Sequence, residues 1–298
     1  MTGGRVWSTH KWGFAALSAM VILALSGCGV LVEAVRDAAR GALSGAVPGL
    51  NAYRAEEKVG QIFSAGAAPE VVVETFNGAI DVVAGAGDQV AVEVTKRASG
   101  PSDSNARDAL STIEVTLTQD GNTVRVTARR TPGMPRGNAA ADVKVTLPAG
   151  ASLQLNTGNG SLTARGVTGR AAMRTGNGDI TVRDGQGSLR ADTGNGSIHL
   201  QATDASVWAK SGNGSIRFDG SLSEGDQTFD AGNGSIVIVL PADASFRVDA
   251  TTGNGRATSD FPVQGQTSSR SVRGAVGANP VASIQASTGN GSISLQAR

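Results

Sequence analysis

The sequence predicts an all-β chain: a parallel β-solenoid or β-roll of coils about 18 residues long with Gly-Asn-Gly corners, preceded by a signal peptide and a tether. Three observations predict it. A Gly-Asn-Gly motif returns seven times at nearly constant spacing from residue 158 onward. The runs between the motifs alternate apolar and polar residues, the period of a half-buried strand. Gly is abundant at 41 residues and aromatics are scarce at 4%, which suits a thin repetitive fold better than a thick aromatic core.

Four segments follow in order. Residues 1–27 read as a lipoprotein signal peptide, with Arg5 and Lys11 as its basic start. The apolar run from Trp12 to Leu25 is shorter than the roughly 20 residues a spanning helix needs. Leu25-Ser26-Gly27-Cys28 looks like a lipobox, in which the cysteine takes the lipid and becomes the N-terminus after cleavage. Cys28 is therefore the expected lipidation site and the expected attachment to a membrane. A plain transmembrane anchor and a cleaved signal with an incidental cysteine are the alternatives. Gly29 resembles the sorting signal of a lipoprotein bound for the outer membrane, if the cell is Gram-negative. Residues 28–69 form the lipidated cysteine and tether, with helical spacing in VLVEAVRDAARGAL before Gly and Pro break it. Residues 70–150 form an N-terminal β-strand region of alternating runs such as VVVETF, AIDVVAG, QVAVEV and VKVTLP, with loops over 98–109 and 131–141. Residues 151–298 are the repeat solenoid.

The corner asparagines of the solenoid are Asn159, Asn177, Asn195, Asn213, Asn233, Asn254 and Asn290, spaced 18, 18, 18, 20, 21 and 36 apart. The last gap, twice 18, reads as a unit that has lost its motif. Hairpins with Asn-Gly turns are the alternative, but they need no fixed period; stacked coils do. Gly, and less readily Asn, tolerates the positive φ of a tight corner. Stacking sets equivalent residues about 4.8 Å apart and so predicts columns. Leu162, Ile180, Ile198, Ile216, Ile236 and Ile293 face inward, as do Ala171, Leu189 and Val207. Arg174, Asp192, Lys210 and Asp230 make an outward row of alternating charge, which cross-strand pairing favours. The chain ends one strand past its last motif, so residues 292–297 are expected to form the open, pairing-prone edge of the stack.

The stretch VKVTLPAGASLQLNTGNGSL, the serial TGNGSI units and the closing TGNGSISL resemble the bacterial adhesin-like β-strand-repeat family of unknown function. The resemblance covers about residues 70–298. It implies a right-handed-type β-solenoid or β-roll in the cell envelope. That family has no established catalytic residues, so none carry over.

Composition excludes several function classes. Two of the 26 basic residues precede Cys28 and no acid does, leaving 24 basic against 25 acidic residues. That balance argues against a nucleic-acid partner, which needs a basic patch. One cysteine allows no internal disulfide, and His199 is the only histidine after the leader. No His/Cys metal site can be assembled and no cofactor is expected. The corners lack the GGxGxD of calcium-binding repeats, with an acid only at Asp179. An ice-binding face would need ranks of threonine, but the column Thr157, Thr175, Thr193 is broken by Ser211 and Ala231.

The asparagine column is expected to be a structural ladder of side-chain amides rather than a ligand site. Trp208, placed outward beside Arg190, is a candidate for stacking on a sugar ring; pairing with that arginine by cation–π contact is the structural alternative. His199 is expected outward between Thr181 and Arg217. Acid–base catalysis would need converging carboxylates, whereas Asp179, Asp184 and Asp192 are spread along one coil. The expected function is a lipid-anchored, non-enzymatic, adhesin-like interaction or scaffold module on the extracytoplasmic side of a membrane, with an envelope protein or polysaccharide as partner. A carbohydrate-active β-solenoid enzyme, a polysaccharide lyase or hydrolase, is the alternative.

Overall fold

The computed structural model describes residues 53–131 and 138–298. The chain divides into two units, Met1–Val32 and Glu33–Arg298, and every described residue belongs to the second. The signal peptide, Cys28 and residues 28–52 of the tether lie outside the described residues.

The first elements are β1 (Tyr53–Ser64), β2 (Glu70–Thr75), β3 (Ile80–Gly85), β4 (Gln89–Gly100), α1 (Asp103–Ser111), β5 (Ile113–Asp120), β6 (Thr123–Arg130) and β7 (Asn138–Pro148). The repeats follow as β8 (Ser152–Asn159), β9 (Leu162–Arg165), β10 (Ala171–Asn177), β11 (Ile180–Asn195), β12 (Ile198–Asn213), β13 (Ile216–Leu222), β14 (Gly225–Asn233) and β15 (Ile236–Leu240). The chain closes with β16 (Phe246–Asn254), β17 (Ala257–Ser259), β18 (Gln264–Thr267), β19 (Ser271–Val276), β20 (Ala282–Asn290) and β21 (Ile293–Ala297).

Each coil runs inbound to a Gly-Asn-Gly corner, turns, runs outbound, and turns again. The inbound strands pair in parallel in the order β2, β8, β10, the second half of β11 and the second half of β12, then β14, β20 and β16. The outbound strands pair in parallel as β3, β9, the first halves of β11 and β12, then β13, β15, β21 and β17. The fold is the parallel β-solenoid that the repeat predicts.

Alternation fixes which face is inside. Ile180, Ile198 and Ile216 lie directly opposite one another, each fully buried. Ala171, Leu189 and Val207 form the second inward column. Core volume is balanced between neighbours. Phe229 sits in register between Ala209 and Ala286 and packs at 6.0 Å on Phe218 of the other wall. A large ring between two small side chains keeps the summed volume of neighbouring layers even, as close packing requires.

Glycine at the corner is dictated by stacking. Gly196 has φ +148°, and a Cβ there would lie 2.1 Å from the Gly178 carbonyl oxygen of the coil before it. A Cβ on Gly194 would meet the Gly176 oxygen at 2.6 Å. The coils approach through bare backbone, so no side chain fits at either position.

Both ends depart from the parallel pattern. At the N-terminal end β6 and β7 make a further parallel coil against β2 and β3. Antiparallel β5 and β4 follow, with β1 antiparallel to β4. At the other end β19 pairs antiparallel with β16, and β18 with β19. Phe261, 5% exposed, packs edge-on against Phe246 at 5.2 Å over the end of the core.

The structure corrects four expectations. First, residues 292–297 are not the edge of the stack: β21 has β15 on one side and β17 on the other. The coil containing Asn290 is inserted between those of Asn233 and Asn254. The reason is apolar cover. After the Asn254 corner the chain reads RATSDF, which offers a three-residue strand; ISLQA after Asn290 sets Ile293 and Leu295 opposite Ile236 and Ile238. Second, the 36-residue gap is no coil with a lost motif; it holds β17 and the β18–β19 pair. Third, the stretch 98–109, read as loop, holds most of α1 from Asp103 onward. Ser102 caps it by accepting the Asn105 N–H, and Ala106 and Ala109 are buried. Fourth, residues 53–64 of the tether form β1, and the 150/151 boundary divides nothing, since β2 pairs with both β6 and β8.

Candidate functional site

The corners form three parallel ladders of hydrogen bonds. In the first, each asparagine Nδ2 donates to the Oδ1 of the asparagine one coil earlier. Asn159 donates to Asn77, Asn177 to Asn159, Asn195 to Asn177, Asn213 to Asn195 and Asn233 to Asn213, at 2.6–2.8 Å. Asn290 continues to Asn233 and Asn254 to Asn290. In the second, the N–H of the glycine after each asparagine except Asn254 donates to the backbone carbonyl of the next coil's asparagine, as Gly196 does to Asn213 at 2.8 Å.

The third ladder is a buried hydroxyl two residues before each asparagine. Thr175 donates to the Gly160 oxygen, Thr193 to Gly178 and Ser211 to Gly196 at 2.8–3.0 Å. Thr157, Thr175 and Thr193 are at most 2% exposed. A column buried to that degree presents nothing to ice; its hydroxyls satisfy corner carbonyls instead. Ala231 leaves this ladder one rung short.

Sequence reading missed Asn77 in the first ladder. Its signal is present in TFNGAI, which matches TGNGSI at Thr75, Asn77, Gly78 and Ile80. Gln227 was also missed. It is fully buried in the inward column, accepts the Val207 N–H at 2.6 Å and donates to the Ser223 and Gly225 carbonyls. Here the coil lengthens from 18 to 20 residues, and the amide replaces ladder bonds that the wider turn interrupts.

The outward rows carry the chemistry available to a partner. One row crosses seven inbound strands and the antiparallel β19 as Gln154, Ala172, Arg190, Trp208, Thr228, Gln285, Asp249 and Arg273. At about 4.8 Å per strand it spans roughly 34 Å. The Arg190 guanidinium carbon lies 3.6 Å from the Trp208 ring centroid, a contact that contributes about 0.5–1 kcal/mol when exposed. Trp208 is half-buried, and Asp249 pairs with Arg273 at 2.8 Å.

The alternating-charge row is present beside it. Arg174 lies 3.8 Å from Asp192, and Lys210 3.1 Å from Asp230, which also accepts from the Ser287 hydroxyl. Such exposed pairs fix register more than they stabilise, at about 0–1 kcal/mol each. His199 is exposed, opposite Thr181 and Arg217. The three carboxylates weighed for catalysis stay apart. Asp179 follows a Gly-Asn-Gly corner and accepts the Ser197 N–H; Asp184 is in the second corner with φ +53°; Asp192 belongs to the charge row.

Residues 138–296, more than half the chain, match the family described as Toastrack DUF4097. A crystal structure of a candidate cell adhesion protein from Clostridium sporogenes ATCC 15579 is 12% identical, with 82% of this chain and 100% of that chain covered and a TM-score of 0.37. A candidate adhesin from Bacteroides fragilis NCTC 9343 is 13% identical, with 80% and 97% covered and a TM-score of 0.37. No curated protein matches the chain.

Proposed function

The chain belongs to the Toastrack DUF4097 family, and on that premise we propose that it is a non-enzymatic interaction module, held by lipid on the extracytoplasmic side of a membrane. The observation that carries this reading is the outward row through Trp208. The solenoid holds one aromatic ring on a guanidinium in the middle of a long, polar, nearly neutral strip. An aromatic held this way offers rigid stacking area at little entropic cost, and the flanking Gln154, Thr228 and Gln285 offer hydrogen bonds on either side. A partner lying across the strands would meet one contact per coil. Dispersal of Asp179, Asp184 and Asp192 favours binding over acid–base catalysis.

The anchor is Cys28. Several acyl chains on one residue hold a protein to a bilayer stably, since each buried CH₂ contributes about 0.8 kcal/mol. Replacing Cys28 by Ala should abolish metabolic fatty-acid labelling; a mutant that still labels contradicts the anchor.

Retention of the mature chain on envelope preparations from its own cells tests the module. Binding should fall about tenfold or more in Trp208→Ala, the scale of a buried aromatic contact, with circular dichroism unchanged. Loss after periodate identifies a polysaccharide partner, and loss after protease identifies a protein. Equal retention of wild type and Trp208→Ala removes the row from the account.

A further inference from the structure

The sequence contains eight Asn-Gly pairs, each at a corner: Asn77, Asn159, Asn177, Asn195, Asn213, Asn233, Asn254 and Asn290 with the glycine after each. Asn-Gly is the dipeptide most prone to intramolecular ring closure, because glycine places no side chain in the way. The glycine nitrogen attacks the asparagine Cγ. A bond forms between them, the Cγ–Nδ2 bond breaks, and the nitrogen's proton leaves with ammonia. Water then opens the succinimide at either carbonyl to give aspartate or isoaspartate.

Seven of the eight corners are protected by the stack. Their attacking nitrogen is engaged: Gly78, Gly160, Gly178, Gly196, Gly214, Gly234 and Gly291 each donate their N–H to the carbonyl of the asparagine in the next coil, at 2.8–2.9 Å. Their side-chain amides are engaged too, since each Oδ1 accepts from the next asparagine's Nδ2. Ring closure at these positions requires both bonds to break and the extended backbone to rotate while held on two sides.

The eighth corner has no next coil. Asn254 donates Nδ2 to Asn290 at 2.8 Å. Among the described residues its Oδ1 accepts no hydrogen bond and the Gly255 N–H has no acceptor. Asn254, Gly255 and Arg256 are all exposed. The antiparallel β19 pairs with β16 as far as Thr251, opposite Ser271, and the turn before it bonds only the flanks of the corner: the Thr252 N–H donates to the Arg270 carbonyl and the Ala257 N–H to the Ser269 carbonyl, neither reaching Asn254 or Gly255. We infer that Asn254–Gly255 is a covalent modification site, where spontaneous succinimide formation converts Asn254 to aspartate and isoaspartate while the other seven corners stay intact. The product adds one negative charge at the terminal corner of the ladder. The inserted coil order is what selects it: in a stack that followed chain order, Asn290 would hold the terminal place.

Incubation of the folded chain in mildly alkaline buffer, followed by peptide mapping and enzymatic isoaspartate methylation, tests this. Asn254 should convert at least about tenfold faster than any other corner, the ratio that protection by local structure produces. Unfolding in denaturant should bring all eight to similar rates, which separates structural protection from local sequence. Asn254→Gln, whose larger ring closes slowly, should remove the main modified peptide. Conversion at Asn254 no faster than at Asn195 in the folded chain overturns the proposal, and so does preferential conversion at Asn290.

Discussion

The interior corner at Asn195 and the closing corner at Asn254 are written with nearly the same residues, TGNGS and TGNGR, yet they are held differently. Asn195 donates to Asn177 and accepts from Asn213, and the Gly196 N–H reaches the Asn213 carbonyl. Asn254 has only the downward half of each ladder. After Asn195 the outbound run is covered on both sides by parallel strands; after Asn254 it shrinks to the three residues of β17 with one parallel neighbour, its other side bonded, among the described residues, only by the Ala257 N–H to the Ser269 carbonyl. A repeat therefore gives a coil its full set of bonds only when a coil lies above and below. Ending the stack takes other chemistry: an antiparallel strand, which offers no register for a further parallel coil, and an aromatic side chain over the core.

The largest expected effect lies at the corner glycines. Gly196→Ala drives a Cβ against the Gly178 oxygen with neighbours on both sides and should cost about 3 kcal/mol or more in chemical denaturation. Gly255→Ala meets the Gly291 oxygen at an even shorter 1.9 Å. Its coil is held on the outer side by the antiparallel β19 and the turn at Ser269 and Arg270 rather than by a stacked coil with its own corner, so the cost should be smaller by about 1 kcal/mol or more. Equal costs break the comparison.

The core sharpens it. Ile198→Ala should cost roughly 2–5 kcal/mol. Ile293, fully buried between Ile236 and Ala257, should cost as much when changed to Ala, because its coil is interior in space although last in sequence. An edge strand would lose about half of that.

The smallest effect belongs to the amide ladder. Asn195→Ala removes two exposed side-chain hydrogen bonds and should cost about 1 kcal/mol; Asn254→Ala removes one and should cost about half as much. A ladder bond at the end that proves as valuable as two in the middle contradicts the additive picture.

The fold was legible where residues repeat. Period, corner and alternation located the inward column from Leu162 to Ile293 and the row from Arg174 to Asp230, because stacked coils force equivalent residues into register. Asn77 was hidden by Phe76, which replaces the first glycine of its corner. The order of the last two coils was less visible because chain order is the default assumption for a solenoid. The apolar content that decides it, ISL against ATS, is a comparison between two segments and no property of either alone. Helix α1 was hidden by the turn-forming composition of GPSDSN, whose Ser102 serves as a cap rather than a break. The row through Trp208 and Arg190 followed directly from the register.

Coil order is tested most directly by engineered disulfides in a Cys28→Ala background, which removes the only native thiol. Asp230 lies opposite Ser287, and Ser287 opposite Thr251. Asp230→Cys with Ser287→Cys places two thiols one strand apart, about 4.8 Å between Cα atoms, within the range a disulfide spans. Asp230→Cys with Thr251→Cys places them two strands apart, at about 9.6 Å, which is too far. Under mild oxidation the first pair should close nearly completely and the second should not. Closure of the Asp230→Cys, Thr251→Cys pair in preference to the other contradicts the inserted coil and restores a stack that follows the chain.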